Sequence, residues 1–266
     1  ILRRHGVTLG APAGHEPATG RFEHERPNDL WQMDFKGHVA LGCGARCHPL
    51  TALDDHSRFN LITAACANER GATVKAHLVA AFERYGKPLR MAFDNGPPWG
   101  DSAQSGFTAL VVWLIEHDIA VGHSRPRHPQ TLGKEERFHR SLKAEAMQGP
   151  AFADLACAQK AFDRFRRSYN LERPHEGIAM AVPADRYTQS PRRFQPEPVP
   201  FAYGPDDRLR RVGKDGIIAL DGRKLRVAKA LDGKTVAVRP TAKEGVVNVV
   251  FRARLIKQID LRNANP

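Results

Sequence analysis

Apolar and polar positions alternate along this chain in two rhythms, divided by a stretch rich in proline. From Leu30 onward the apolar residues gather in short runs bounded by turn residues: Trp31 to Val39, Pro49 to Leu53 and Arg58 to Cys66, with a Gly-rich link and Asp54-Asp55-His56-Ser57 between them. Three runs with links this short predict an antiparallel meander. Between Glu69 and Tyr85 the spacing changes to threes and fours, in Val74, Leu78, Ala81 and Phe82, which predicts an amphipathic helix closed by Gly86 and Pro88. Leu89 to Phe93 reads as a strand, Phe107 to His117 as a helix on Leu110, Val111 and Leu114, and Ile119 to Gly122 as another strand. Strands alternating with helices make this segment mixed α/β. A Pro-interrupted basic loop, Arg125 to Thr131, leads into helices over Lys134 to Met147 and Phe152 to Asn170.

The first rhythm ends where Pro183, Pro191, Pro196, Pro198, Pro200 and Pro205 mark an extended connection, because proline supplies no backbone donor. Beyond it, Asp215-Gly216, Asp221-Gly222, Asp232-Gly233 and Glu244-Gly245 punctuate β-branched runs such as Thr235 to Val238 and Val246 to Phe251, the pattern of a small all-β barrel. At the other end, residues 7 to 28 lack periodic apolar positions and read as a linker, while Ile1 to Gly6 reads as the end of a basic helix stopped by glycine. The expected organisation is therefore residues 1–28 as a helix end and linker, 29–150 as an α/β core, 151–205 as a helical and Pro-rich connector, and 206–262 as a basic β domain.

Charge adds a partner to this picture. The chain carries 41 Lys and Arg against 29 Asp and Glu, net +12. Residues 206–262 alone hold 15 basic against 7 acidic residues, a net of +8, so most of the excess sits in the β domain. That concentration favours binding to a polyanion such as double-stranded DNA. No run of about 18 apolar residues could span a bilayer, and four cysteines in 266 residues give no disulfide framework; the expected location is the cytoplasm, at the bacterial nucleoid. Neither a Ser/His/Asp arrangement nor a phosphate-cradling Gly-Lys-Ser loop is present, which argues against a hydrolase triad and an ATPase.

The candidate chemistry lies in carboxylates. Asp34 stands inside the first strand, where alternation would otherwise place an apolar or neutral residue; an edge-strand aspartate facing water is the plainer reading of that position alone. Asp94 follows the fourth strand and precedes Asn95-Gly96, a place where α/β folds set ligands, though Asp-Asn-Gly is also an ordinary turn. Two glutamates open the helix at 134. At about 100° per residue, Phe138 and Leu142 define its core face, Glu136 shares a side with His139, Arg140 and Lys143, and Glu135 falls nearer the core margin. Glu136 could also serve only as an i,i+4 partner of Arg140. Asp54 and Asp55 look like a strand-ending turn. Cys43, Cys47 and His48 have metal-like spacing but lack a fourth partner for zinc.

Trp-Gln-Met-Asp-Phe at 31–35, Leu-Asp-Asp-His-Ser-Arg at 53–58, Asp-Asn-Gly at 94–96, His-Pro-Gln-Thr-Leu-Gly-Lys-Glu-Glu-Arg-Phe-His-Arg at 128–140 and Arg-Pro-His at 173–175 resemble the integrase-type catalytic core of insertion-sequence DDE transposases. The resemblance implies a ribonuclease H-like mixed sheet with flanking helices and a small SH3-like barrel at the C-terminal end. It maps the family's metal-binding and catalytic acids onto Asp34, Asp94 and Glu136, which would hold Mg²⁺ or Mn²⁺, two ions in all. There are 41 residues between Asp94 and Glu136, more than the family's usual spacing, and the excess falls in the Trp99 to Gly106 loop. Lys134, Arg137, Arg140 and Lys143 near the catalytic helix, with Arg223, Lys224 and Arg226 in the barrel, are the expected DNA contacts. The implied activity is DNA cleavage and strand transfer by a homo-multimer bound to element ends and target. A nuclease of the same fold that does not join strands, or an inactive DNA-binding remnant, would share these features. The family also carries an N-terminal helix-turn-helix, of which Ile1 to Gly6 would be the last residues, so the chain reads as N-terminally truncated.

Overall fold

The structure is a computed structural model and describes residues 23–100, 107–123 and 133–263. The expected helix end at Ile1 to Gly6, the linker before residue 23, the loop at 101–106 and the whole basic loop Arg125 to Thr131 lie outside the described residues. Strand β1 (Trp31–Phe35) runs antiparallel to β3 (Arg46–Asp54), and β3 antiparallel to β4 (Asn60–Cys66), the meander that the sequence predicts. The first strand is shorter than expected: Gly37 at φ +86° turns the chain before a two-residue strand, β2 (Val39–Ala40), pairs with the start of β3. β5 (Arg90–Phe93) joins β1 in parallel and β6 (Ala120–His123) joins β5 in parallel, each reached through a crossover helix, α1 (Gly71–Tyr85) and α2 (Ala109–Glu116). Thr108 caps α2 by accepting from the Val111 amide.

Side-chain parity divides the sheet. Trp31 and Met33 of β1, Leu50 and Ala52 of β3, and Met91 and Phe93 of β5 face one way and pack with Val74, Leu78 and Phe82 of α1 and Leu110, Val111 and Leu114 of α2. Cys47 and Leu53 of β3 face the other way, under α3 (Gly133–Ala146) and α4 (Leu155–Leu171), whose Phe138, Leu142, Phe162, Phe165 and Tyr169 complete a second cluster. Gln32 and Asp34 share this second face by the same parity, as does Asp94 just beyond β5.

Helix α4, assigned above to a connector, belongs to the core. Its apolar positions Ala158, Phe162, Phe165 and Tyr169 follow helical spacing and bury one stripe, and Asp154 caps its start through the Cys157 amide. Its polar residues complete the free edge of β4. The Gln159 side chain accepts from the Ala65 amide at 2.8 Å and donates to the Thr63 carbonyl at 3.0 Å, Arg166 donates to the Leu61 carbonyl at 3.2 Å, and Asn170 both accepts from and donates to the Asn60 backbone. Strand edges with open backbone groups invite foreign pairing, and here a helix closes one. The sequence shows the stripe on α4, but not which surface receives it.

After a short helix, α5 (Pro183–Arg186), and an extended segment, the chain enters the C-terminal region. It forms an antiparallel sheet in the order β12 (Arg254–Asp260), β11 (Val246–Phe251), β10 (Thr235–Pro240), β7 (Arg208–Arg211), with a hairpin of β8 (Ile217–Leu220) and β9 (Arg223–Arg226). Leu220 pairs with Arg223 across a two-residue loop in which Asp221 and Gly222 take φ +49° and +77°, the left-handed pair that tightens a hairpin to match strand twist. Gly216 at φ +72° lies so near the Ala228 backbone that a Cβ would sit 2.4 Å from it. The region docks on the α2 end of the core, where Lys234 pairs with Glu116 at 2.6 Å and Arg252 with Asp118 at 3.0 Å. Among the described residues no helix is long and apolar enough to cross a membrane.

Candidate catalytic site

Two of the three acids singled out in the sequence come together. Asp34 projects from the C-terminal end of β1 and Asp94 follows the C-terminal end of the neighbouring parallel strand β5, so both stand at the same sheet edge. Asp34 accepts from the Phe35 amide at 2.8 Å, and Asp94 accepts from the Gly96 amide at 3.1 Å, which shapes the Asn95-Gly96 turn. His123, at the end of β6, approaches the Asp94 carbonyl at 2.9 Å. Burial, and then the negative charge of Asp94, push the Asp34 carboxyl up to about 6, against the smaller opposing pulls of the Phe35 amide and Lys36. A pair of acids that repel one another in this way is a place where a cation would be held.

Trp99 braces this edge. It is fully buried, stacked on Phe93 with ring centroids 4.6 Å apart, and it touches Phe35 at 5.9 Å. The residue after Asp34 and the residue before Asp94 thus share one aromatic anchor. Glu69, exposed and hydrogen-bonded to His48 at 2.8 Å, adds negative field toward Asp34. Cys47 is buried, Cys43 exposed, and both are free thiols.

The adjacent glutamates of α3 part company. Glu135 is 1% exposed and turns under the sheet, where its carboxylate shares the Thr51 hydroxyl with the His139 ring, at 3.0 and 2.8 Å; that hydroxyl also lies 3.1 Å from the Asp34 carbonyl. Burial and the nearby Asp34 push the Glu135 carboxyl well above the usual carboxylate range, and burial with Lys36 pulls the His139 imidazole down to about 4. Burial acts on the two groups in the same sense, against the charged form of each, and His139 approaches Glu135 at 3.7 Å. Glu136 lies on the exposed side of the same turn, with Arg137, Arg140 and Lys143 exposed along α3. Among the described residues no group of three His, Cys, Asp or Glu side chains is arranged to hold a metal ion.

Lys134 differs from the expected DNA contact. Its ammonium turns inward and pairs with Asp55, also reaching the Asp55 carbonyl at 3.1 Å. The side chain is 15% exposed, and its ammonium offsets the charge of Asp55, which is 1% exposed. Arg137 pairs with Glu176 at 2.9 Å in the open, a contact that costs little to exchange for a phosphate. On β9, Leu225 is buried while Lys224 and Arg226 face outward, and Arg223 is half-buried against the Leu261 carbonyl.

Thr51, His139 and Trp99 are site-building residues that the sequence reading did not single out as functional; it set His139 beside Glu136, whereas the ring is buried on the Glu135 side of α3, against Thr51. A threonine inside the apolar run Leu50 to Leu53 is the one local signal, because its parity matches Asp34 across the β1–β3 pair.

Comparison with known proteins places these features in context. Residues 24–129 match the family model described as integrase core domain, residues 117–183 a second integrase core domain model, and residues 207–266 the C-terminal domain of IS481 family transposases. The chain is 30% identical over 178 residues to the insertion element IS476 uncharacterized 39.2 kDa protein of Xanthomonas euvesicatoria, covering 67% of this chain and 49% of that protein. It is 25% identical over 159 residues to the insertion element IS407 uncharacterized 31.7 kDa protein of Burkholderia multivorans, covering 60% of this chain and 55% of that one. The chain thus spans about half the length of these two relatives. A chain of the simian T-cell lymphotropic virus intasome, solved in complex with the PP2A regulatory subunit B56 gamma, superposes with a TM-score of 0.53 at 15% identity, covering 97% of this chain and 94% of that one. The likeness is one of fold: a ribonuclease H-like mixed sheet followed by an antiparallel β region.

Proposed function

Since this chain belongs to the integrase-core transposases of insertion sequences, we propose that it cleaves DNA and joins the exposed 3′ end to a target, with Asp34, Asp94 and Glu136 as its metal-holding acids. The observation that carries this reading is the Asp34–Asp94 pair at one strand edge, with the Asp34 carboxyl lifted to about 6 partly by its neighbour's charge. The donors fit the group: carboxylate oxygens suit Mg²⁺ or Mn²⁺, and a dication would offset the mutual repulsion of the two acids. When bound, two such ions would activate water or a 3′ hydroxyl and stabilise an in-line phosphoryl transition state.

The chain's own residues supply position and charge. Trp99 fixes both acid-bearing segments through Phe35 and Phe93. Glu136, on the first turn of α3, is the third acid of this proposal, and Arg137, Arg140 and Lys143 on the same helix would grip DNA backbone beside it. Lys224 and Arg226 on the outward face of β9 would extend that grip, with Arg223 as a partly covered member of the set. A homo-multimer on DNA, working at the bacterial nucleoid in the cytoplasm, belongs to the same proposal.

The test is strand transfer from a labelled duplex with a recessed 3′ hydroxyl, with Mg²⁺ or Mn²⁺, comparing wild type with Asp34→Asn, Asp94→Asn and Glu136→Gln at matched DNA occupancy. Joined product from wild type, lost by at least about a hundredfold in each variant, is the expected result. Cleavage without joining would make the chain a nuclease of this fold, and binding without either reaction would make it a DNA-binding remnant.

A further inference from the structure

The ion pair between Asp55 and Lys134 connects parts of the chain that the reaction must hold in register. Asp55 closes the meander between β3 and β4, and it is 1% exposed. One carboxylate oxygen accepts from the Gln32 side chain at 2.8 Å and from the Lys134 ammonium; the other accepts from the His24 amide at 2.9 Å and faces the His24 ring at 3.1 Å. Gln32 is two residues before Asp34 on the same face of β1. Lys134 is two residues before Glu136, in the first turn of α3. A single buried carboxylate therefore ties the strand that carries one acid to the helix turn that carries another. Arg58 and Glu23 surround the same point, where Arg58 reaches the Asp55 carbonyl and approaches Glu23 at 3.5 Å.

We propose that Asp55 and Lys134 are a positioning pair that fastens the first turn of α3 to the sheet and so sets Glu136 against Asp34 and Asp94. The inference rests on the reading of Glu136 as the third acid. Lys134 acts here from inside the fold and not on the DNA. Lysine suits the role because its long stem crosses from the helix to the strand end while its ammonium meets two oxygens of one residue. Without it, α3 would still be held by Glu135 on Thr51 and by Phe138 and Leu142 further along, but its opening turn would lose its fastening to the β3–β4 corner.

The experiment uses Lys134→Met, Lys134→Arg and Asp55→Asn in the full chain, with three measurements: amide exchange across residues 134–138, Mn²⁺ affinity by electron paramagnetic resonance without DNA, and DNA affinity as a function of salt. Lys134→Met is expected to speed exchange in that turn and weaken Mn²⁺ binding about tenfold or more, with DNA affinity and its salt slope unchanged. Lys134→Arg should recover much of the Mn²⁺ affinity. If exchange and Mn²⁺ affinity stay at wild-type values while the salt slope falls by about one, Lys134 is a phosphate contact and the proposal is overturned. Should Asp55→Asn fail to fold, Lys134→Met still decides, because His24 and Gln32 remain on Asp55. A wild-type Mn²⁺ affinity that Asp34→Asn does not change would overturn the catalytic reading instead, and the pair's acid-setting role with it; the exchange measurement would then report on the tether alone.

Discussion

On the α1 and α2 side of the sheet, Trp31, Met33, Leu50, Met91 and Phe93 join one apolar cluster, with the Trp31 indole also donating to Asn28 at 3.0 Å; on the α3 and α4 side the same strands and their ends present Gln32, Asp34, Thr51 and Asp94. Both faces are covered by helices, so burial is common to them and the chemistry differs. The first face is ordinary core, held by area removed from water. The second holds buried acids, an ammonium, a neutral imidazole and a hydroxyl, each of which costs stability unless its hydrogen bonds are made. Polar burial concentrated on one face is the mark of a working surface, and it makes the two faces respond differently to substitution, pH and metal.

The largest effect belongs to the apolar face. Phe82 is 1% exposed and packs against Trp31 and Trp113 at ring distances of 5.6 and 5.9 Å. Phe82→Ala should lower stability by about 3 to 5 kcal/mol, by the same amount at pH 5 and pH 7.5 and with or without Mg²⁺. Urea denaturation under the four conditions checks this. A loss that changed with pH or with Mg²⁺ would show that the two faces are coupled more tightly than their separate clusters indicate.

Next in size is the response of Asp34. Its carboxyl binds a proton more tightly in the folded chain, at about 6, than in the unfolded one, near 3.8. The stability tied to that proton is present below pH 4 and is lost as pH rises through 6, on the order of 2 to 3 kcal/mol in all. Asp34→Asn removes the titration. In chelator the variant should therefore be more stable than wild type at pH 7.5 and close to it at pH 4, while only wild type gains stability from Mg²⁺ at pH 7.5. Equal stability of the two proteins at pH 7.5 in chelator would mean that Asp34 bears no such burden.

These contrasts also show what the sequence makes legible. Alternation in Trp31 to Phe35 sets Asp34 opposite the apolar residues, and the wheel of α3 separates Glu135 from Glu136, turning the first toward the core as the structure has it. Both follow from local geometry. Contacts between residues far apart in the chain do not: Lys134 beside a run of cations reads as a DNA contact, and only the fold brings Asp55 to it from 79 residues away. Thr51 likewise gives no hint of His139, 88 residues on. The α4 stripe is visible, but its partner, the open edge of β4, exists only once the meander has formed.

The smallest of the effects asks whether the polar face is a network or a set of independent contacts. Thr51 offers one hydroxyl to Glu135 and to His139, so Thr51→Val keeps the volume close but leaves both without that partner, and should cost about 1 to 3 kcal/mol. Glu135→Leu removes one of the two groups that Thr51→Val would strand. In the double variant the loss should therefore be smaller than the two single losses added together, by at least about 0.5 kcal/mol, because an apolar pair at that point resembles the opposite face of the sheet. Strict additivity in a double-mutant cycle would show that Thr51 and Glu135 are energetically separate. The polar face would then be a collection of local pairs, and a brace at Asp55 and Lys134 would act on α3 without help from the network that begins at the next residue, Glu135.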